Sequence, residues 1–401
     1  MGINIKRLMA DLYELGKIGF IPGKGTSRVA YSENFLNGRE LIRSKMEEAG
    51  LITSVDAVGN LTGLLPASND DKMAKKIAVG SHIDTVPMGG IYDGALGVIS
   101  AIEAVRALKE EGWANRHPIE VIAFNEEEGN AVGGTFGSKA FAGAVLEESM
   151  REPMALYHIS EKDFRSCKRR TEDYLAYVEY HIEQGGLLEA KGMTIGIVEG
   201  IFGILRYKAI VKGMANHAGS TPMALRDDAM EKTCKMITWL MDKVRATGDT
   251  MVCTIGTMDV EPGAVNVIPG ETSFVIELRD KEMTGMYEVI DNFRNEWKDK
   301  GLRLEEYITQ PETLCDKRLC LLAENAADEK KYAHMRMYSG AGHDLINMSF
   351  IAPSALLFIP SKGGISHRYD EYSSPEDIKA GAEVFLETIK KIDKGEFEIE
   401  N

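Results

Sequence analysis

Cysteine is scarce and scattered. The 401-residue chain has five, Cys167, Cys234, Cys253, Cys315 and Cys320. The number is odd and no second pair or His follows Cys315 and Cys320 at zinc-finger spacing. This excludes a disulfide scaffold and a Cys-based finger, and reduced thiols in a cytoplasmic protein are expected. Long apolar runs are missing as well. No stretch approaches ~18 residues, so no membrane span is expected. The opening MGINIKRLMADLYELGKIGF is amphipathic and carries Asp11 and Glu14, unlike the apolar core of a secretory signal. Lys6 stands where a myristoylation signal needs Ser or Thr. Positive charge is in the minority: 47 Lys and Arg against 62 Asp and Glu leave a formal −15. That excludes a basic footprint for nucleic acid and otherwise argues only for solubility. Internal repeats and low-complexity segments are absent.

What is present begins with length. At about 100–200 residues per domain, two domains are expected. FLNGRELIRSKMEEAG (35–50) has helical spacing and ends at Gly50, a plausible residue just past a helix C-terminus. KKIAVGSHIDT reads as a short apolar strand, followed by the helix GALGVISAIEAVRALKEEG. HPIEVIAFNEEEGN repeats the pattern, with a strand up to Phe124 and then a carboxylate-rich turn. APSALLFIPSKGGISHRYDE does so again, with a strand through Ile359 and a His-bearing loop. Strands without clean alternation, separated by helices, predict a buried, mostly parallel sheet in an α/β domain. Ligands of such sheets sit beyond the carboxyl ends of the strands. The polar clusters Gly80–Asp93, Asn125–Gly129 and Gly363–His367 all fall there. From about Gly203 to Pro311 the texture changes. FGILRYKAIVKG and ETSFVIELRD alternate like half-exposed antiparallel strands, and DDAMEKTCKMITWLMDKVRATG is an amphipathic helix. A smaller α+β domain over 203–315 is therefore expected, inserted into a larger one made of 1–202 and 316–401.

The clusters are rich in imidazole and carboxylate and contain no thiolate. Such donors suit Zn, Mn, Co or Ni. The candidates are His82, Asp84, Asp93, Glu126, Glu127, Glu128, His181 and His367. One Asp can bridge two cations about 3.5–4 Å apart, with a His and one further ligand on each. A remaining carboxylate then takes a proton from water, and the Glu triplet offers a ligand and a base side by side. Asp84, two residues past His82, can orient that imidazole through its other nitrogen. Each piece alone also has an ordinary reading. A loop His is commonly just exposed, and a Glu triplet is commonly a solvated run or charge at a helix N-terminus. GAGHD (340–344) reads either as a helix N-cap or as a substrate contact. The three clusters together favour a metal site.

Taken in order, GSHIDTVPMGGIYDG, NEEEG…GSKAFAG, HIEQG, GMANHAGSTPM, GAVNVIPGETSFVIELRD, GAGHD and GGISH resemble the M20-type amidase and carbamoylase group. Its members include N-carbamoyl-L-amino-acid hydrolases, allantoate amidohydrolases and ureidopropionases. The resemblance runs from AVGNL (57–61) to His367. It implies two divalent metal ions: His82 and His181 as terminal ligands of one, Asp93 as the bridge, Glu128 and His367 as ligands of the other. Glu127 is then the general base, with the register fixed by Gly129 in the Glu-Glu-Gly motif; the rival register uses Glu126 and Glu127. In the small domain, His217 resembles the residue that stabilises a developing oxyanion, across a homodimer. Arg206, Asn266 and Arg279 resemble positions that clamp a carboxylate or ureido group, and Gln184 is placed to touch the ureido group. The ordinary alternative for Arg206 and Arg279 is a strand-face salt bridge. Two departures touch the substrate pocket: Asn130-Ala131-Val132 replaces the pattern after the metal ligand, and Ile204-Leu205 precedes Arg206 where a Gln is common.

The implied activity is hydrolysis of a carbamoyl C–N bond in a small ureido acid, releasing ammonia and carbon dioxide. The implied small domain carries a lid and the dimer contact. Two other readings remain: an M20 peptidase or aminoacylase cleaving an ordinary amide, and an inactive member that binds a ureido ligand or only dimerises. HIEQG argues against the first. A base beside a ligand, needless in a binding module, argues against the second.

Overall fold

The computed structural model describes residues 2–69, 71, 73–248 and 250–396. The chain divides into two compact units, Met1–Glu199 with Cys315–Asn401, and Gly200–Leu314. The strands that matter here are, in chain order, β1 (Ile52–Val55), β2 (Leu61–Leu65), β3 (Lys76–His82), β4 (Ile119–Phe124), β5 (Tyr174–Ile182) and β6 (Ile195–Ile201). Next come β7 (Gly203–Lys212), β8 (Val252–Glu261), β9 (Glu271–Asp280) and β10 (Leu302–Gln310), then β11 (Thr313–Leu314), β12 (His334–Ser339) and β13 (Ser354–Ile359). The principal helices are α1 (Ala95–Glu110), α2 (Ala229–Ala246), α3 (Met283–Trp297), α4 (Lys317–Lys330) and α5 (Pro375–Asp393).

The larger unit is a mixed α/β fold around one sheet of order β11-β6-β13-β5-β3-β4-β2-β1, with β12 also on β6. Only its centre is parallel. β13, β5, β3 and β4 run together, while β6, β2, β1 and β11 pair antiparallel. The expectation of a mostly parallel sheet is corrected to a mixed one. The reason is connection length. A helix as long as α1 can carry the chain back for a parallel partner, whereas the short link from β1 to β2 permits only an antiparallel return. The four central strands lie between layers of helix and are buried almost throughout, so they read as unbroken apolar runs.

Because these four strands are parallel and adjacent, their carboxyl ends form one edge. His82 ends β3, and His181 is the next-to-last residue of β5. The Glu triplet follows β4, and GGISH follows β13. α1 starts two residues after Asp93, which places that carboxylate at a helix N-terminus, where anions are favoured.

The smaller unit has a four-stranded antiparallel sheet, β8-β9-β7-β10. Leu205, Tyr207, Ala209 and Val211 of β7 and Phe274, Ile276 and Leu278 of β9 pack one face against Met236 and Leu240 of α2 and Met286, Ile290 and Phe293 of α3. The alternate residues Arg206, Lys208, Glu277 and Arg279 take the other face. Asp228 caps α2 by accepting the N–H groups of Met230 and Glu231.

Candidate metal centre

Two groups of donors share Asp93. In the first, His82, Asp93 and His181 are all buried, and one ligand atom from each lies within 4.8 Å of the others. His82 Nδ1 is 3.1 Å from the Asp84 carbonyl oxygen, and His181 Nδ1 is 2.9 Å from that of Ile182. A carbonyl can only accept, so each Nδ1 carries its proton and each Nε2 points its lone pair inward. Those lone pairs face Asp93 Oδ1 at 3.4 and 3.2 Å. This arrangement favours a positive centre between the three atoms, a proton or a divalent cation, and His181 Nε2 also accepts the Gly94 N–H at 3.0 Å. Burial opposes charge on these groups. The facing carboxylates nevertheless hold the His82 imidazole well above its ordinary range. The imidazoles hold the Asp93 carboxyl well below its own. Space here is closed by Gly94: with φ 62°, its missing Cβ would lie 2.4 Å from the His82 ring.

The second group is Asp93, Glu128 and His367. His367 Nε2 stands 3.3 Å from Asp93 Oδ2 and 3.4 Å from Glu128 Oε2. Glu128 Oε1 is buried with no hydrogen-bond partner, and burial, then the Asp93 charge, push its carboxyl up to about 7. A clustered, unpartnered carboxylate among imidazoles is the donor set a divalent ion fits. Gln184 donates its side-chain N–H to Asp93 Oδ2 at 2.8 Å and lies 3.3 Å from His367 Nε2, so it comes to the same place.

The Glu triplet divides its work. Glu126 turns away: Oε1 accepts the backbone N–H groups of Ala131, Val132 and Gly133 at 2.6, 2.5 and 3.1 Å. The Asn130-Ala131-Val132 departure thus lies in the loop that wraps this carboxylate. Glu127 points to the first group, with Oε2 3.8 Å from His82 Nε2. Burial, with neighbouring carboxylates, raises its carboxyl well above the ordinary range. Asp84 joins the parts. Its Oδ1 and Oδ2 accept the N–H groups of Glu127 and Glu128 at 3.3 and 3.1 Å, and Oδ1 is 3.6 Å from His82 Nδ1.

In GAGHD, Asp344 takes the N-cap position of the short helix Leu345–Met348. Its side chain makes no capping hydrogen bond, and it is fully buried. His343 packs edge-on against His181, with ring centroids 4.6 Å apart.

The smaller unit brings its candidates together in two places. His217 Nδ1 accepts the N–H groups of Gly219 and Ser220, each at 3.1 Å. That fixes the tautomer and leaves Nε2–H as an outward donor on an exposed side chain. Asn266 is adjacent, its carbonyl accepting the Ala218 N–H at 3.0 Å. On the open sheet face, Glu277 takes Arg206 Nε at 2.5 Å and Arg279 Nε at 2.8 Å. The salt-bridge reading of both arginines is therefore present in the structure, and the two guanidiniums share one carboxylate.

Residues 78–391 match the model of peptidase family M20/M25/M40. The chain belongs to this family. It is 37% identical to the N-carbamoyl-L-amino acid amidohydrolase of Geobacillus stearothermophilus, over 98% of this chain and 100% of that one. It is 32% identical to the allantoate amidohydrolase of Bacillus subtilis, over 97% and 98%. The solved structure of an amidase of the hydantoinase/carbamoylase family from Burkholderia multivorans matches with a TM-score of 0.86 at 30% identity, over 97% of each chain.

Sequence reasoning misses three acidic residues of this M20 chain. Glu371 is buried beside Asp93. Glu277 holds the arginine pair. Glu179, two residues before His181, is buried against Ser81, Tyr177 and the N–H of Leu345. Position relative to a strand end marks the candidate donors, but no local pattern marks Glu371, whose partners Tyr92 and Asp93 are distant in sequence. Glu183 of HIEQG is structural: its two oxygens accept the N–H groups of Leu187 and Leu188. Among the described residues, no helix is long and apolar enough to cross a membrane.

Proposed function

We propose that this protein is a metal-dependent amidohydrolase that cleaves the carbamoyl C–N bond of a small ureido acid, an N-carbamoyl-L-amino acid or allantoate. The observation that carries the reading is the pair of donor groups sharing Asp93, with Glu127 beside them and outside both. His82, Asp93 and His181 would hold one divalent ion, and Asp93, Glu128 and His367 a second, as Zn, Mn, Co or Ni. When bound, the ions polarise the carbamoyl carbonyl and lower the pKa of the attacking water.

The chain's own residues do the rest. Glu127 takes the proton from the attacking water and passes it to the leaving nitrogen. Its elevated affinity for a proton suits both halves of that task. Asp84 keeps Glu127 and Glu128 in place through their backbone N–H groups and steadies His82. His217 donates its Nε2–H to the developing oxyanion. Arg279 and Arg206 take the substrate carboxylate, with Asn266 and Gln184 on the ureido group. The smaller unit acts as lid and dimer contact in this reading, so His217 belongs to this chain or to a second copy. One water consumed gives ammonia, carbon dioxide and the free amine.

The test is ammonia release by protein reconstituted with Mn, Zn, Co or Ni in turn. The panel is N-carbamoyl-L- and D-amino acids, N-carbamoyl-β-alanine and allantoate, with dipeptides and N-acetyl amino acids assayed for amine release. Metal-dependent ammonia from one ureido acid is expected. Amine from peptides without ammonia would move the protein to the amide-cleaving branch, and silence with every metal would leave a binding protein.

A further inference from the structure

Glu371 connects two loops that carry different ligands. Its side chain is buried. Oε1 accepts the backbone N–H groups of Tyr92 and Asp93, each at 3.1 Å. Oε2 lies 2.9 Å from Ser366 Oγ, and Ser366 Oγ lies 3.1 Å from Asp93 Oδ2. A hydroxyl has one proton, so the two carboxylates share it. Ser366 directly precedes His367. Glu371 therefore holds the Asp93 loop by its backbone and the His367 loop by its neighbour's hydroxyl. Gly90 reflects the same contact. It has no left-handed φ to explain it, but a Cβ there would lie 2.2 Å from Glu371 Oε1. The His367 side chain is half-exposed and its backbone has φ 56°.

We propose that Glu371 is a positioning residue that sets the spacing between the two donor groups, and so the affinity of the Asp93–Glu128–His367 group for its metal. This rests on reading the groups as metal sites. Partners of metal ligands that fix their orientation commonly matter 10–100-fold to metal affinity. Glu371 reaches the second group through Ser366, whose hydroxyl bonds Asp93 Oδ2, the oxygen that faces His367. Asp93 Oδ1 faces His82 and His181, so the loss of Glu371 falls mainly on the second group.

The experiment is calorimetric titration of chelator-stripped protein with Mn2+ or Zn2+, with bound metal counted by equilibrium dialysis. The wild type is expected to take two equivalents. In Glu371→Ala and in Ser366→Ala the second equivalent should weaken about 10–100-fold while the first stays within about threefold. Glu371→Gln, which keeps the acceptor for the two N–H groups, should recover most of the loss. An unchanged second equivalent in both alanine variants would overturn the proposal. So would equal weakening of both equivalents with a lower melting temperature of the metal-free protein, because that is a merely structural role. Ser366→Ala carries the test if Glu371→Ala does not fold. A wild type that takes no metal would instead defeat the metal reading itself.

Discussion

Glu126, Glu127 and Glu128 are consecutive and chemically identical, and what their oxygens touch separates them. Glu126 holds three backbone N–H groups. Glu127 and Glu128 turn toward imidazoles. Glu126→Ala strands buried donors, so it should cost about 1–3 kcal/mol of stability in a denaturant melt. The folded fraction should keep much of its turnover. Loss of turnover at unchanged stability would restore the rival register, with Glu126 in the chemistry. A second residue-scale prediction concerns Glu277. Its carboxylate fixes two guanidiniums through Nε, and in the proposed reading this guanidinium pair takes the substrate carboxylate. Glu277→Gln should raise KM for a carboxylate-bearing substrate roughly tenfold, about 1.4 kcal/mol, with kcat nearly unchanged. An unchanged KM would place the pair outside the substrate site.

At the scale of elements, the parallel centre of the sheet does the positioning. Four adjacent strand ends deliver His82, His181, the Glu triplet and the His367 loop to one edge. Three of them were legible as apolar runs ending in polar residues, while the strand of His181 was marked only by the HIEQG motif at its end. The antiparallel wings were not legible. β1 and β11 are short edge strands whose pairing is decided by connections and neighbours, not by periodicity. Glu371 was equally invisible, because its partners Tyr92 and Asp93 are 279 and 278 residues away in sequence. The arginine–glutamate cross-strand pairing became visible only with the β7–β9 register, which sets Arg206 opposite Glu277. The turn after β4 depends on Asp84 in the loop after β3. Asp84→Ala removes the acceptor of two N–H groups at once. We expect kcat about 10–100-fold lower with weakened metal binding, read by steady-state kinetics and metal titration. Full activity would show that the turn holds itself.

At the scale of the molecule, both donor groups that could hold a metal belong to the larger unit, and the smaller unit has its own core. A ligand that binds only the folded state stabilises it by about 2.7 kcal/mol at one hundred times its Kd. Divalent metal at that excess should slow amide exchange in β3, β5 and α1 and leave α2 and α3 unchanged. Equal protection of both units would contradict the assignment of the metals to one of them.

The central claim is that two metals share Asp93 and that Glu127 serves them as base without being a ligand. The most direct measurement is the metal content and ammonia turnover of Glu127→Gln, side by side with the wild type on its best ureido substrate. The account predicts two bound metals per chain and turnover lowered at least ~10²-fold, the lower end of what a positioned base contributes. Wild-type turnover, or the loss of a metal from the variant, would contradict it.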